Sequence, residues 1–135
     1  MDASTETQLV LEGYQEAMTY VLQATRDHGL EVDEGLHRAL HFMMLKHELP
    51  KNPGRWRPGA IHVERSGTGE VVYEAPDAEL VPSLIASMLN ELDSSHAPVV
   101  VGAAMAHLNL AMIHPFSDGN GRMARCLQTL VLARE

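Results

Sequence analysis

The sequence predicts a mostly α-helical domain carrying one β-hairpin, on three observations. Apolar residues recur at spacings of three and four through five segments, the period of a helix face. One short stretch alternates apolar with polar residues between Pro and Gly, the pattern of a hairpin. No run of about 18 apolar residues exists, so no membrane-spanning helix is expected.

The first helix is expected from about Thr7 to Asp27, on the face Leu9, Val10, Gly13, Ala17, Tyr20, Val21 and Ala24, with Gly29 as its stop. Asp33 is placed to cap a second helix, Glu34 to His47, whose face is Leu36, Leu40, Met43 and Met44. Pro50, Pro53, Gly54, Pro58 and Gly59 then mark a loop. Ile61 and Val63 alternate with His62 and Glu64, Ser66 to Gly69 form a turn, and Glu70 to Glu74 form the second strand. A lone hairpin is marginal in water, so it has to lean on the helices.

Asp77 is the expected cap of a third helix, Ala78 to Asp93, with a stripe from Leu80 to Leu92. A fourth, Pro98 to Ile113, is apolar almost all round, which predicts a central place in the bundle. Pro115 ends it, because the residue before a proline is pushed out of the α region. A fifth helix begins near Gly121 or Arg122, with a core face of Met123, Cys126, Leu127, Leu130 and Val131.

The chain has 135 residues, room for one domain, 1–135, with a core of its own. Hydrophobic residues are 45% and charged residues 21%, a globular balance. Ten Lys and Arg face 18 Asp and Glu, a formal charge of −8. That argues against non-specific nucleic-acid binding and against an anionic membrane surface, while leaving room for a small basic pocket. A lone cysteine, Cys126, and a polar, acidic N-terminus without a signal pattern make a cytoplasmic place the expectation.

Chemistry concentrates between His114 and Arg125. The apolar fourth helix delivers a histidine, a loop with Gly119 and Gly121 follows, and a new helix opens with Arg122. A helix N-terminus presents free N–H groups and a positive dipole end, and glycines let an anion approach the backbone. Arg122 and Arg125 are three apart, hence on one face, and each can fork onto phosphate oxygens. Asp118 is a single carboxylate beside that nest, and one carboxylate plus phosphate oxygens is a usual way to hold Mg²⁺. His114 can take a proton near neutral pH, as a general base must. A plain turn connector is the bland alternative for Asp118 to Gly121. A calcium loop fails, since Arg122, Met123 and Thr129 occupy positions that need a ligand, a glycine and a glutamate. A P-loop fails for want of Gly-Lys-Ser/Thr.

The stretch HPFSDGNGRMAR resembles the signature HPFx[DE]GNGRxxR of the Fic-domain family at every fixed position. The helix leading into it, and the segment Gly54-Arg55-Trp56-Arg57-Pro58-Gly59 with the hairpin and Tyr73 to Pro76, are similar to that family's motif helix and flap. The resemblance implies a helical bundle with the hairpin as a flap over the active-site loop. It also implies transfer of AMP from ATP, with Mg²⁺, to a Ser, Thr or Tyr hydroxyl of a protein target.

Carried over, His114 is the base and Asp118 holds the metal against the α- and β-phosphates. Gly119, Asn120 and Gly121 line the anion hole, Asn120 also reaching the α-phosphate by its side chain. Arg122 grips the β-phosphate, Arg125 the γ-phosphate, and Phe116 anchors the loop. Ile61, His62, Val63 and Glu64 would dock the target as an added strand. The same scaffold can transfer UMP, phosphocholine or phosphate, or remove AMP. A nucleotide-binding regulatory module without chemistry is the reading of another class.

Glu12-Gly13 is near the family's inhibitory pattern [ST]xxxE[GN], but Gln8 stands where Ser or Thr is needed, so Glu12 is read as a solvated residue. Inhibition would then come from an antitoxin-like partner or from sequence beyond Glu135. Members of the family usually have more helix after the motif, so a C-terminally truncated fragment is expected.

His37 and His41 have a zinc-compatible spacing, but no further ligand completes a set, and they are read as surface histidines. His107 is read as a satisfied core histidine and Cys126 as a small buried hydrophobe. Trp56 is left between touching an adenine and packing under the flap.

Overall fold

The computed structural model describes residues 2–134. Five helices and one hairpin follow in order: α1 (Ala3–Ala24), α2 (Glu34–Leu45), β1 (His62–Glu64), β2 (Val71–Glu74), α3 (Val81–Ser94), α4 (Val99–Ile113) and α5 (Asn120–Ala133). A single-turn 3₁₀ segment, Leu49–Lys51, follows α2, and a second, Ala78–Leu80, precedes α3. One continuous core joins the helices, with Phe116, Leu40, Met44, Leu45, Ile85, Leu110, Met123, Leu127 and Leu130 fully buried.

Local chemistry explains most boundaries. Asp33 caps α2 as expected, its carboxylate accepting the Leu36 N–H at 2.8 Å. α1 begins four residues before its predicted start, because Asp2 caps it by accepting the Thr5 N–H at 2.8 Å. It also ends earlier, at Ala24, and the turns that follow reach Gly29 at φ 87°. Asp77 does not cap α3 with its side chain: a 3₁₀ turn intervenes, and Pro82 in the first turn sets the start instead.

Packing corrects one expectation and sharpens another. α4 is not enclosed on all sides. Ala103, Ala106, Leu110 and Ile113 face α5 and α3, while Val100 is 69% exposed and Val101, Met105, Leu108 and Met112 are about half exposed. Apolar composition permits burial but does not supply neighbours on every face. Gly13 has a packing role that periodicity does not reveal. A Cβ there would lie 2.7 Å from the Met44 carbonyl oxygen and 2.8 Å from that of Met43, so glycine is what lets α1 cross the end of α2 closely. Glu12 beside it is exposed, its carboxylate accepting from Gln8 at 2.9 Å.

The hairpin is antiparallel, pairing His62 with Glu74, Val63 with Tyr73 and Glu64 with Val71, with an irregularity between Val63 and Glu64. It is tied to α4 directly and to the preceding loop just beyond β2. The Tyr73 hydroxyl donates to the Met112 carbonyl in the last turn of α4, and the Arg57 guanidinium donates to the Pro76 carbonyl.

Candidate active site

α4 has to stop where its histidine is needed. His114 is its C-cap, in the left-handed region at φ 51° and ψ 58°. That conformation costs a non-glycine residue about 1–2 kcal/mol. Arg57, only 3% exposed, offsets it. Its Nε donates to the His114 carbonyl at 2.7 Å and its Nη2 to the Ile113 carbonyl at 3.3 Å, while its backbone N–H donates to the Pro115 carbonyl at 2.8 Å. A cation thus meets the orphan carbonyls at the negative end of α4.

The loop after His114 is braced from inside. Phe116 is fully buried and lies flat on the His41 ring, centroids 3.7 Å apart and planes 5° apart. Trp56 packs on Phe116 at 5.1 Å, tilted by 38°, and donates its indole N–H to Glu34, contacts that belong to the packing role. The Asn120 amide closes a ring on the Phe116 backbone, accepting its N–H at 2.9 Å and donating to its carbonyl at 2.8 Å.

Gly119 sits at φ 80°, and a Cβ there would meet Leu45 Cδ1 at 3.2 Å and His41 Nε2 at 3.5 Å. Glycine is required there by backbone conformation, in a space that a Cβ would fill closely.

α5 then begins at Asn120. Its first internal backbone bond runs from the Met123 N–H to the Gly119 carbonyl, so the earlier N–H groups have no carbonyl acceptor within the helix. These groups open on a cleft of about 260 Å³ lined by His114, Ser117, Asp118, Gly119, Asn120, Gly121, Arg122 and Arg125. Arg122 Nη1 is buried without an acceptor among the described residues. An orphaned guanidinium donor beside free helix N–H groups is a site that an anion would complete.

The protonation pattern suits a base. His114 donates Nδ1–H to the Ala111 carbonyl at 3.2 Å, so in the neutral imidazole Nε2 is the nitrogen free to accept. Asp118 is ionised. Burial works to raise its carboxyl, but the Lys51 ammonium at 2.9 Å, the Gly119 N–H and the Arg122 charge outweigh that and hold it below the ordinary carboxylate range.

The donor set can be tested against a divalent cation. Among the described residues no three His, Cys, Asp or Glu side chains converge, so no protein-only cage is built. One half-exposed carboxylate beside an anion cleft does fit Mg²⁺, which keeps several waters and takes one or two carboxylates plus substrate phosphates.

The Fic/DOC family model matches residues 31–132. The chain belongs to the Fic/DOC family. A protein adenylyltransferase Fic of Nematostella vectensis is 31% identical over 125 residues, 90% of this chain and 28% of that protein. One of Aedes aegypti is 36% identical over 95 residues, 70% of this chain and 18% of that protein. A crystal structure of a Fic domain containing signaling protein from Bacteroides thetaiotaomicron superposes with a TM-score of 0.87 at 28% identity, over 99% of this chain and 51% of its own. The chain therefore spans less than a third of the curated relatives just given.

In this Fic/DOC chain the seven residues from the expected catalytic and nucleotide set, His114, Asp118, Gly119, Asn120, Gly121, Arg122 and Arg125, line one cleft. The expected docking residues do not: His62, Val63 and Glu64 are exposed on β1, with Ile61 half-buried beside them. The Asn120 side chain, expected to reach a phosphate, has both amide ends on Phe116, which leaves one amide hydrogen and the backbone N–H unassigned.

His37 and His41 are corrected outright. They are 1% and 0% exposed, buried and not on the surface, and His41 lies under the loop against Phe116. Periodicity placed them one turn apart on α2 but could not say that the active-site loop covers His41. Arg57 and Lys51 were missed, since neither stands in a chemical motif. The proline-rich segment between α2 and the hairpin was their only signal.

His107 is half-buried and bonded to Gln128 at 2.8 Å, in line with a satisfied histidine. Cys126 is fully buried, its thiol pushed up to about 12 by burial, which makes it an inert hydrophobe.

Proposed function

We propose that this chain is the catalytic core of a protein adenylyltransferase, moving AMP from ATP to a Ser, Thr or Tyr hydroxyl of a protein target. One observation carries the reading. A histidine whose Nδ1 is tied to a backbone carbonyl lines the same cleft as a helix N-terminus and two arginines.

In this reading His114 Nε2 takes the proton of the target hydroxyl as its oxygen bonds the α-phosphorus. The bond from that phosphorus to the bridging oxygen breaks, and pyrophosphate leaves. The N–H groups of Gly119 to Gly121, with Arg122 and Arg125, hold the phosphate oxygens. Asp118 would hold Mg²⁺, whose charge neutralises the phosphates when bound. Lys51 must then give up its place on that carboxylate.

The hairpin supports the docking role given to Ile61–Glu64. It is a two-stranded sheet, so β1 has one edge for pairing with an extended peptide. Glu12 is engaged by Gln8, in keeping with inhibition from elsewhere, an antitoxin-like partner or sequence beyond Glu135. A cytoplasmic place completes the reading, supported by the lone buried cysteine.

ATP labelled at the α- or γ-phosphate, incubated with the chain and a cell lysate, tests it. α-label on a protein is the expected result. γ-label would mean phosphorylation, and ATP bound in the cleft with no labelled protein would favour a regulatory module or another donor.

A further inference from the structure

His41 is among the most enclosed polar side chains of the molecule, at 0% exposure, and takes no part in the chemistry proposed above. Its ring meets two segments that sequence separates widely. Nδ1 accepts the backbone N–H of Gly54 at 2.9 Å, in the stretch that leads to Arg57 and the hairpin. Nε2 lies 2.8 Å from the carbonyl oxygen of Asp118, and only a donated hydrogen can bridge that pair. The Gly54 bond therefore fixes the tautomer: Nδ1 bare, Nε2 protonated. The ring face carries Phe116, and the Nε2 edge lies just under Gly119, where a Cβ would come into contact with it at 3.5 Å.

We infer that His41 is a positioning residue for nucleotide binding, a single buried imidazole that locks the phosphate-binding loop to the base of the hairpin. The reasoning is geometric. Asp118 and Gly119 together set where the α5 N-terminus points and where the Asp118 carboxylate hangs. Their backbone is held from below by one bond to Nε2 and by the stacked ring. The same imidazole holds Gly54, three residues before the Arg57 that fixes His114. Both ends of the cleft, base and anion nest, are thus referred to one side chain. A neutral hydrogen bond to a fully enclosed ring is worth most where losing it leaves a partly shielded carbonyl and N–H unpaired, as here.

The inference rests on the reading above only in taking the ligand to be a nucleotide, and its test is read by binding. His41→Phe keeps a ring against Phe116 and removes both bonds. His41→Gln removes the stack and keeps a donor that reaches the Asp118 carbonyl. ATP affinity of the full chain, measured by calorimetry with Mg²⁺, is expected to fall about tenfold in His41→Phe and to recover in part in His41→Gln. Both are compared at temperatures well below their melting points. A purely structural histidine predicts the reverse order, because the phenyl ring preserves the packing. Gln no better than Phe, or Phe binding ATP like the parent, overturns the inference.

If His41→Phe does not fold, the parent chain decides through its imidazole ¹⁵N shifts. A proton on Nε2 with Nδ1 bare is expected, and the opposite tautomer overturns the lock. An inactive chain that still binds ATP would sink the transfer reading and leave this one standing.

Discussion

Two parts of the cleft's surroundings are built in opposite ways. The loop from His114 to Asn120 is closed on itself: Phe116 is 0% and Asn120 4% exposed, and side chains from α2, from the segment before the hairpin and from the loop itself bond its backbone. The hairpin is open: Val63, Val71 and Val72 are 37%, 46% and 49% exposed, and it touches α4 through the Tyr73 hydroxyl. The contrast follows from their partners. Phosphate oxygens are held by N–H groups that must already point the right way, since reorganisation at the moment of reaction costs rate. A peptide edge is recognised by pairing, which needs unpaired backbone and tolerates motion.

Substitutions can break or sharpen this contrast. The largest effect is expected at the loop's chemical end: His114→Ala should lower AMP transfer by about 10²–10⁴-fold, with ATP binding retained in calorimetry. Unchanged transfer would remove His114 from its role. Next is the packed end. Phe116→Ala should destabilise the fold by about 3–5 kcal/mol in denaturant titration, because it empties a closed site between His41 and Trp56.

Arg125→Ala should cost about 1.5–3 kcal/mol of ATP binding, one charged contact, and much less of ADP binding, since Arg125 is assigned to the γ-phosphate. Equal losses would contradict the assignment.

A smaller effect is expected from pH. Burial pushes the His37 imidazole below its ordinary value, only partly offset by its bond to the Asp33 carbonyl. The unfolded chain, with an ordinary value of about 6.5, then binds more protons in acid. Stability present above that pH is lost as pH falls through the folded-state value. Urea midpoints at pH 7.5 and 5.5 should show the drop, and His37→Gln should flatten it. The smallest effect belongs to the open part: Val72→Ala should change stability by no more than about 0.5 kcal/mol. A larger loss would show that the hairpin is a structural part of the bundle.

Much of the site was legible because its chemistry is contiguous. His114, Asp118, Gly119, Gly121, Arg122 and Arg125 lie within twelve residues, and turn and helix-start physics alone assembles them into a histidine, a nest and two guanidiniums. Helix positions were legible for the same local reason, with α2 capped by Asp33 as its sequence pattern requires. Errors arose where the cause lay elsewhere in space. Nothing near His41 announces that Phe116, 75 residues on, will lie on its ring. Nothing near Arg57 announces that α4 will end against it. Nor does the apolar run of α4 tell that one of its faces lies in the open.

Periodicity and short motifs are properties of neighbouring residues, so the chain itself determined the helices, the hairpin and the chemical inventory of the loop. Burial and long-range bonding depend on which faces meet, and only the tertiary structure decided that His41 and Arg57 hold this inventory in place. The reason is physical. A buried polar side chain is stable only beside partners that satisfy it, and here those partners arrive from the far end of the sequence.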